Sequence, residues 1–146
     1  MVEEVPIGGE EIVVGSWGMK LYDIKKTKVV YFYGEAEVAQ GIFFIPFLEF
    51  RNLSPGTAQA NRSLDFYLEN SEGLTLRYRP TAHASLGAAH QFTAGHVYDR
   101  IQPSAILGVS LPFDVPPATG DVWLRVEQDP SFKMYLGNIS QIEEYK

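Results

Sequence analysis

The sequence predicts an all-β protein, an antiparallel sandwich of seven to nine short strands. Three observations carry this. Apolar residues recur with period two from residue 12 onward, Gly, Pro, Asn and Asp punctuate the pattern at turn spacing, and no window carries a capped amphipathic helix. The chain has 146 residues, enough for one domain that buries about two-thirds of its unfolded surface. With 45% apolar residues, including two Trp, eight Tyr and nine Phe, it buries enough area to offset chain entropy, so a disordered chain is excluded.

Residues 1–11 read as an acidic leader or the end of a linker. They hold Glu3, Glu4, Glu10 and Glu11 and no base, hence −4 of the formal −6, which leaves −2 for the body. Residues 12–146 form the single predicted domain. In its opening strand Trp17, Met19 and Leu21 alternate with Gly18, Lys20 and Tyr22. The lysines at 20, 25, 26 and 28 then suggest a solvated hairpin tip with edge-protecting charges. Val29, Tyr31 and Tyr33 follow. Ile42, Phe44, Leu48 and Phe50 make one face of a long strand, with Pro46 expected at an edge or a bulge.

Leu64, Phe66 and Leu68, the turn Asn70-Ser71-Glu72-Gly73, and Leu74, Leu76 and Tyr78 read as a hairpin. Residues 80–100 are rich in Ala and Gly and poor in core-sized side chains, so they read as a long irregular loop, with a short helix around 82–90 conceivable. Ala105 to Phe113 continues the alternation as one strand. Val122, Leu124 and Val126 face one way and Trp123, Arg125 and Glu127 the other. Phe132, Met134 and Leu136 close the series.

Residues 101–126 carry a more specific pattern. Ile101-Gln102-Pro103-Ser104, Gly108, Leu111-Pro112-Phe113-Asp114-Val115-Pro116 and Asp121-Val122-Trp123-Leu124-Arg125-Val126 resemble the last strands of a bacterial immunoglobulin-like family. That family is the telokin-like domain of unknown function found in secreted proteins and lipoproteins, similar in architecture to the mycobacterial immunoprotective extracellular antigen. Gly15-Ser16-Trp17 to Asp23-Ile24 resembles its opening strand. Phe44 to Arg51-Asn52-Leu53-Ser54 resembles its long central strand with a terminal Asn. The resemblance spans roughly residues 12–137. It departs from the pattern at Ser104, where the family has Gly after Pro, and at Pro46 and Pro112, which interrupt strands. It implies an immunoglobulin-like β-sandwich, an extracellular or cell-envelope setting, and no catalytic residues to carry over.

Several chemistries are excluded or weakened by the residues themselves. There is no cysteine, hence no disulfide, no thiol nucleophile and no Cys-ligated zinc. The charge of −6 argues against nucleic acid, whose phosphates call for a basic stripe. The longest apolar run, Ile42 to Leu48, is far short of the about 20 residues a spanning helix needs. The N-terminal residues lack a signal-peptide pattern, which leaves two readings, a cytosolic chain or a domain of a longer exported protein whose signal precedes Met1. Sequons occur at Asn61 and Asn138.

His83, His90 and His96 all lie in the 80–100 segment. Their spacing, H-x6-H-x5-H, is neither a zincin helix pair nor a finger, so no metal is expected, and the three histidines are the alternative ligand set. Ser85 and Ser104 lie near histidines and Asp99 without a G-x-S-x-G elbow. Asp114, Asp121, Glu127 and Asp129 read as strand-end and turn residues rather than as a glycosidase pair or a calcium loop.

The aromatic excess points elsewhere. Trp123 and Tyr67 fall on outward faces together with Arg77 and Arg125. These four, with His90 and His96, are the candidate ligand- or partner-binding residues. Tyr31-Phe32-Tyr33 and Phe43-Phe44-Ile45 place apolar groups on both faces of their strands, so a loop, a partner or a second copy must cover one face. The expected function is a non-catalytic extracellular or cell-envelope interaction module without cofactor, acting through a protein partner or self-association of exposed β faces. The alternative is a small-ligand or carbohydrate-binding sandwich that uses the outward aromatics and the 80–100 loop.

Overall fold

A computed structural model describes residues 7–32, 35–59, 64–78, 84–85 and 100–144. Among these residues two antiparallel sheets face each other. One has six strands, ordered β1-β2-β3-β7 with β6 added to β2 and β8 to β3. The other has four, ordered β10-β9-β4-β5. The ranges are β1 Ile12–Val14, β2 Trp17–Phe32, β3 Glu35–Asn52, β4 Phe66–Asn70, β5 Thr75–Leu76, β6 Ala84–Ser85, β7 Ile106–Ser110, β8 Phe113–Val115, β9 Asp121–Val126 and β10 Asp129–Asn138. A 3-10 turn at Ile139–Gln141 follows. The expected β-sandwich is therefore present, with ten strands among the described residues, two of them only two residues long.

Strand length is the main departure. β2 and β3 form one long hairpin, running in register from Trp17↔Asn52 to Phe32↔Glu35. Register shifts between Leu21 and Asp23 and between Thr27 and Val29 reset the alternation. A continuous strand therefore reads as several short ones. The lysine block is corrected by the same fact, because it lies along β2 and not at a hairpin tip. Lys25 pairs with Glu143 at 3.6 Å, Lys26 Nζ donates to the Ile139 carbonyl at 2.8 Å, and Lys28 Nζ donates to the Gly41 carbonyl.

Pro46 is likewise internal rather than at an edge, since β3 is flanked on both sides. β8 pairs with Ile42–Phe44 and β7 with Phe47–Arg51, so Pro46 lies where one partner gives way to the other. Its carbonyl accepts from Leu111 N on that side, at 3.1 Å, and its missing N–H faces the same junction. Leu111-Pro112 breaks the run expected as one strand from Ala105 to Phe113 into β7 and β8. Of the 80–100 segment, residues 84 and 85 pair with Phe32 and Tyr31 as a strand. Apart from Arg100, the rest of the segment lies outside the described residues.

The core fills the space between the sheets. Trp17, Met19, Leu21, Ile24, Phe44, Leu48 and Phe50 come from one side, and Phe66, Leu68, Val122, Leu124, Val126, Met134 and Leu136 from the other. Trp17 meets Phe50 edge-on with centroids 6.2 Å apart, and Phe50 meets Phe66 at 5.6 Å, joining the two sheets. Each such ring contributes on the order of 1.5–3 kcal/mol by burial. Without disulfides this packing holds the sheets together, helped by the C-terminal segment. After β10 that segment returns to the other sheet, where Glu143 O accepts from Lys26 N at 3.3 Å.

The second apolar face of β3 is also resolved. Phe43, Ile45 and Phe47 alternate with Phe44, Pro46 and Leu48, yet all three are buried by the chain itself. At the other end, Gly8 N donates to Leu21 O at 2.8 Å, and the Glu11 carboxylate lies over Gly18 and pairs with Arg51.

Candidate functional site

The outer face of the four-stranded sheet gathers four of the predicted residues. Tyr67 on β4 is in register with Arg125 on β9, and Arg125 with Lys133 on β10. One step along, Glu69, Trp123 and Tyr135 form a parallel row. Alternation dictates this arrangement, because Phe66, Leu68, Val122, Leu124, Met134 and Leu136 are drawn inward and their neighbours must face out. Arg77 follows β5 and reaches the same face. Its guanidinium carbon sits 5.0 Å from the Tyr67 ring centre, and the group pairs with Glu127.

The sequence reading missed Lys133 and Tyr135, although the same alternation marks them. Lys133 Nζ lies 4.6 Å from the centre of the Trp123 ring. Tyr135 packs against Trp123 with centroids 5.4 Å apart and donates its hydroxyl to Asp121 at 2.7 Å. The face is thus a set of rings with cations laid on them, Arg77 on Tyr67 and Lys133 on Trp123.

Arg125 differs from the other three. Its guanidinium donates to Glu69 at 2.7 Å and to the carbonyls of Phe132 and Pro130, each at 2.9 Å, and its side chain is only 18% exposed. It acts as a clamp between β4, β9 and the start of β10. Arg77 is more than half exposed, so its cation is available at the surface. His83, His90 and His96 lie outside the described residues. Among the described residues no group of three His, Cys, Asp or Glu side chains is placed to hold a metal ion.

The carboxylates singled out in the sequence each have a partner within the fold. Asp114 accepts from the backbone N–H groups of Gln40 at 2.9 Å and Gly41 at 3.0 Å, Glu127 pairs with Arg77, and Asp129 accepts from Ser131 N and Oγ. Asp121 takes the hydroxyl of Tyr135. Ser104 sits at the third position of a turn, Gln102 to Ala105, with φ of 66°. Of the two sequons, Asn138 caps the 3-10 turn with its side-chain oxygen, and Asn61 lies outside the described residues.

Two sheets closed over one aromatic core define a β-sandwich. Solved structures share it. A conserved hypothetical protein of Bacillus anthracis aligns with TM-score 0.64 and 7% identity over 87% of this chain and 92% of that one. An uncharacterized β-sandwich protein of Clostridium difficile aligns with TM-score 0.56 and 17% identity over 92% and 98%. A candidate lipoprotein of Bacillus subtilis aligns with TM-score 0.53 and 11% identity over 95% of this chain but 40% of that one. At these identities the likeness is one of fold, and the fold is the one that the resemblance at residues 101–126 implies. No protein-family model and no curated protein matches the sequence.

Proposed function

We propose that the protein is a non-catalytic interaction module acting outside the cytoplasm at the cell envelope, and that it holds a protein partner on the outer face of its four-stranded sheet. The observation that carries this is the concentration of Tyr67, Trp123 and Tyr135 with the cations of Arg77 and Lys133 on one face. Trp, Tyr and Arg are the side chains that dominate binding energy at protein interfaces. A cation already occupies one face of each of two rings, which favours a protein surface over a sugar that must stack there. The fold shared with a candidate lipoprotein supports the envelope setting.

A photo-crosslinking amino acid placed at Lys133 in the native cell, with the same substitution at Lys20 on the other sheet as control, tests the reading. A discrete protein adduct in the envelope fraction is expected from position 133 and not from position 20. Adducts of equal yield from both positions, recovery of the protein only in the cytosol, or saturable binding on a glycan array would overturn it.

A further inference from the structure

A second feature lies at the seam between the sheets, away from the aromatic face. A cleft of ≈ 500 Å³ is lined by Gln40, Gly41, Leu76, Asp114, Pro116 and Pro117, none of which belongs to that face. Sites for small molecules commonly span about 300–1,000 Å³, with apolar walls and a few placed polar groups. Here Leu76 and the two prolines are the walls, and the polar end is Asp114 with the exposed Gln40.

The state of Asp114 decides what the cleft can take. Its two oxygens accept one backbone N–H each, from Gln40 and Gly41. A carboxylate has about four acceptor positions, so each oxygen keeps one for a further donor. Among the described residues no cation pairs with Asp114. The neighbouring Lys28 ammonium donates to the carbonyls of Gly41 and Gln40. A partly used carboxylate at the end of an apolar slot matches a positively charged nitrogen on an aliphatic stem, because the charge-assisted hydrogen bond is the strong one.

We propose that this cleft binds a primary alkylammonium group, the nitrogen donating to Asp114 and the stem lying along Leu76, Pro116 and Pro117. A free aliphatic amine and the lysine side chain of a peptide both present that chemistry. The test is a titration of the isotope-labelled full chain, followed by amide chemical shifts, with n-butylammonium chloride and with N-acetyl-lysine methylamide. Butan-1-ol and matched sodium chloride are the controls. Saturable shifts at the amides of Gln40, Gly41, Leu76 and Asp114 with either amine are expected, the tighter probe identifying the source.

Gln40→Lys places the protein's own ammonium beside Asp114 and should abolish saturation while leaving the rest of the spectrum in place, since the Gln40 side chain is exposed. Shifts that rise linearly, spread over the surface, match those of butan-1-ol or persist in Gln40→Lys would overturn the proposal.

Discussion

Asn52, the last residue of β3, is fully buried, and its carboxamide uses all of its main bonding directions. Nδ2 donates to the carbonyls of Gly56 at 2.8 Å and Ile101 at 3.0 Å. Oδ1 accepts from Ser54 N at 2.9 Å and Ser54 Oγ at 2.7 Å. One side chain thereby ties the end of β3 to the loop that follows and to the chain entering β7. In Asn52→Ala all four bonds are lost. At about 1 kcal/mol net per bond the ceiling is about 4 kcal/mol, and water reaching the exposed side of Ser54 and Gly56 returns part of it, so the expected loss is about 2–4 kcal/mol.

Asn52→Asp sharpens the test. Its shape is unchanged and it still accepts from Ser54, but it turns a carboxylate oxygen toward two carbonyl oxygens at a fully buried position. The expected loss is therefore at least that of the alanine variant, about 3 kcal/mol or more. Urea unfolding followed by far-UV circular dichroism and by the fluorescence of Trp17, the buried register partner of Asn52, reads both. With a slope of about 2 kcal/mol per molar, the midpoint should fall by about 1–2 M. A loss below about 1 kcal/mol in Asn52→Ala, or near-parent stability in Asn52→Asp, would refute the reasoning.

Three further outcomes follow from single contacts. Ser104→Gly relieves a left-handed φ of 66° that costs a non-glycine residue about 1–2 kcal/mol. Set against the added freedom of glycine in the unfolded chain, it should stabilise by about 0.5–1 kcal/mol and raise the melting temperature by about 1–4 °C in calorimetry. Gly41→Ala would drive a methyl group into the Val115 carbonyl oxygen, which is backbone and cannot swing aside. A loss of about 1–3 kcal/mol is expected in urea unfolding, with faster amide exchange along β8. Arg125→Lys keeps the charge but not the fork that reaches Glu69, Phe132 and Pro130, so about 1–2 kcal/mol should be lost in the same assay, with little rescue by salt because the site is largely buried.

Much of the candidate face was legible beforehand. Tyr67, Trp123, Arg77 and Arg125 were placed outward by alternation alone, and the structure sets them on one sheet. That Arg125 is a clamp was not legible, because its carboxylate partner Glu69 lies 56 residues away and β4 meets β9 only in the folded state. In the sequence Asp114 reads only as a strand-end residue. Its task of capping the irregular backbone at Gln40 and Gly41 depends on a pairing across more than 70 residues. The Pro103-Ser104 turn shows the opposite case. The family pattern has Gly there, and the φ of Ser104 shows the conformation for which glycine is suited.

The amino-acid order alone settles the class of fold and the inward side of most strands. A period-two pattern is a local property, and each strand carries enough of it to choose its buried face. It also determined that packing, not disulfides, must hold the two sheets, since there is no cysteine. Where strands end, which lysines are engaged, how Pro46 fits inside β3 and that Phe43, Ile45 and Phe47 are buried depend on long-range pairing. Bulges reset alternation without leaving a local signature, and the bonds that repair them come from distant partners that assemble only when the sheets close.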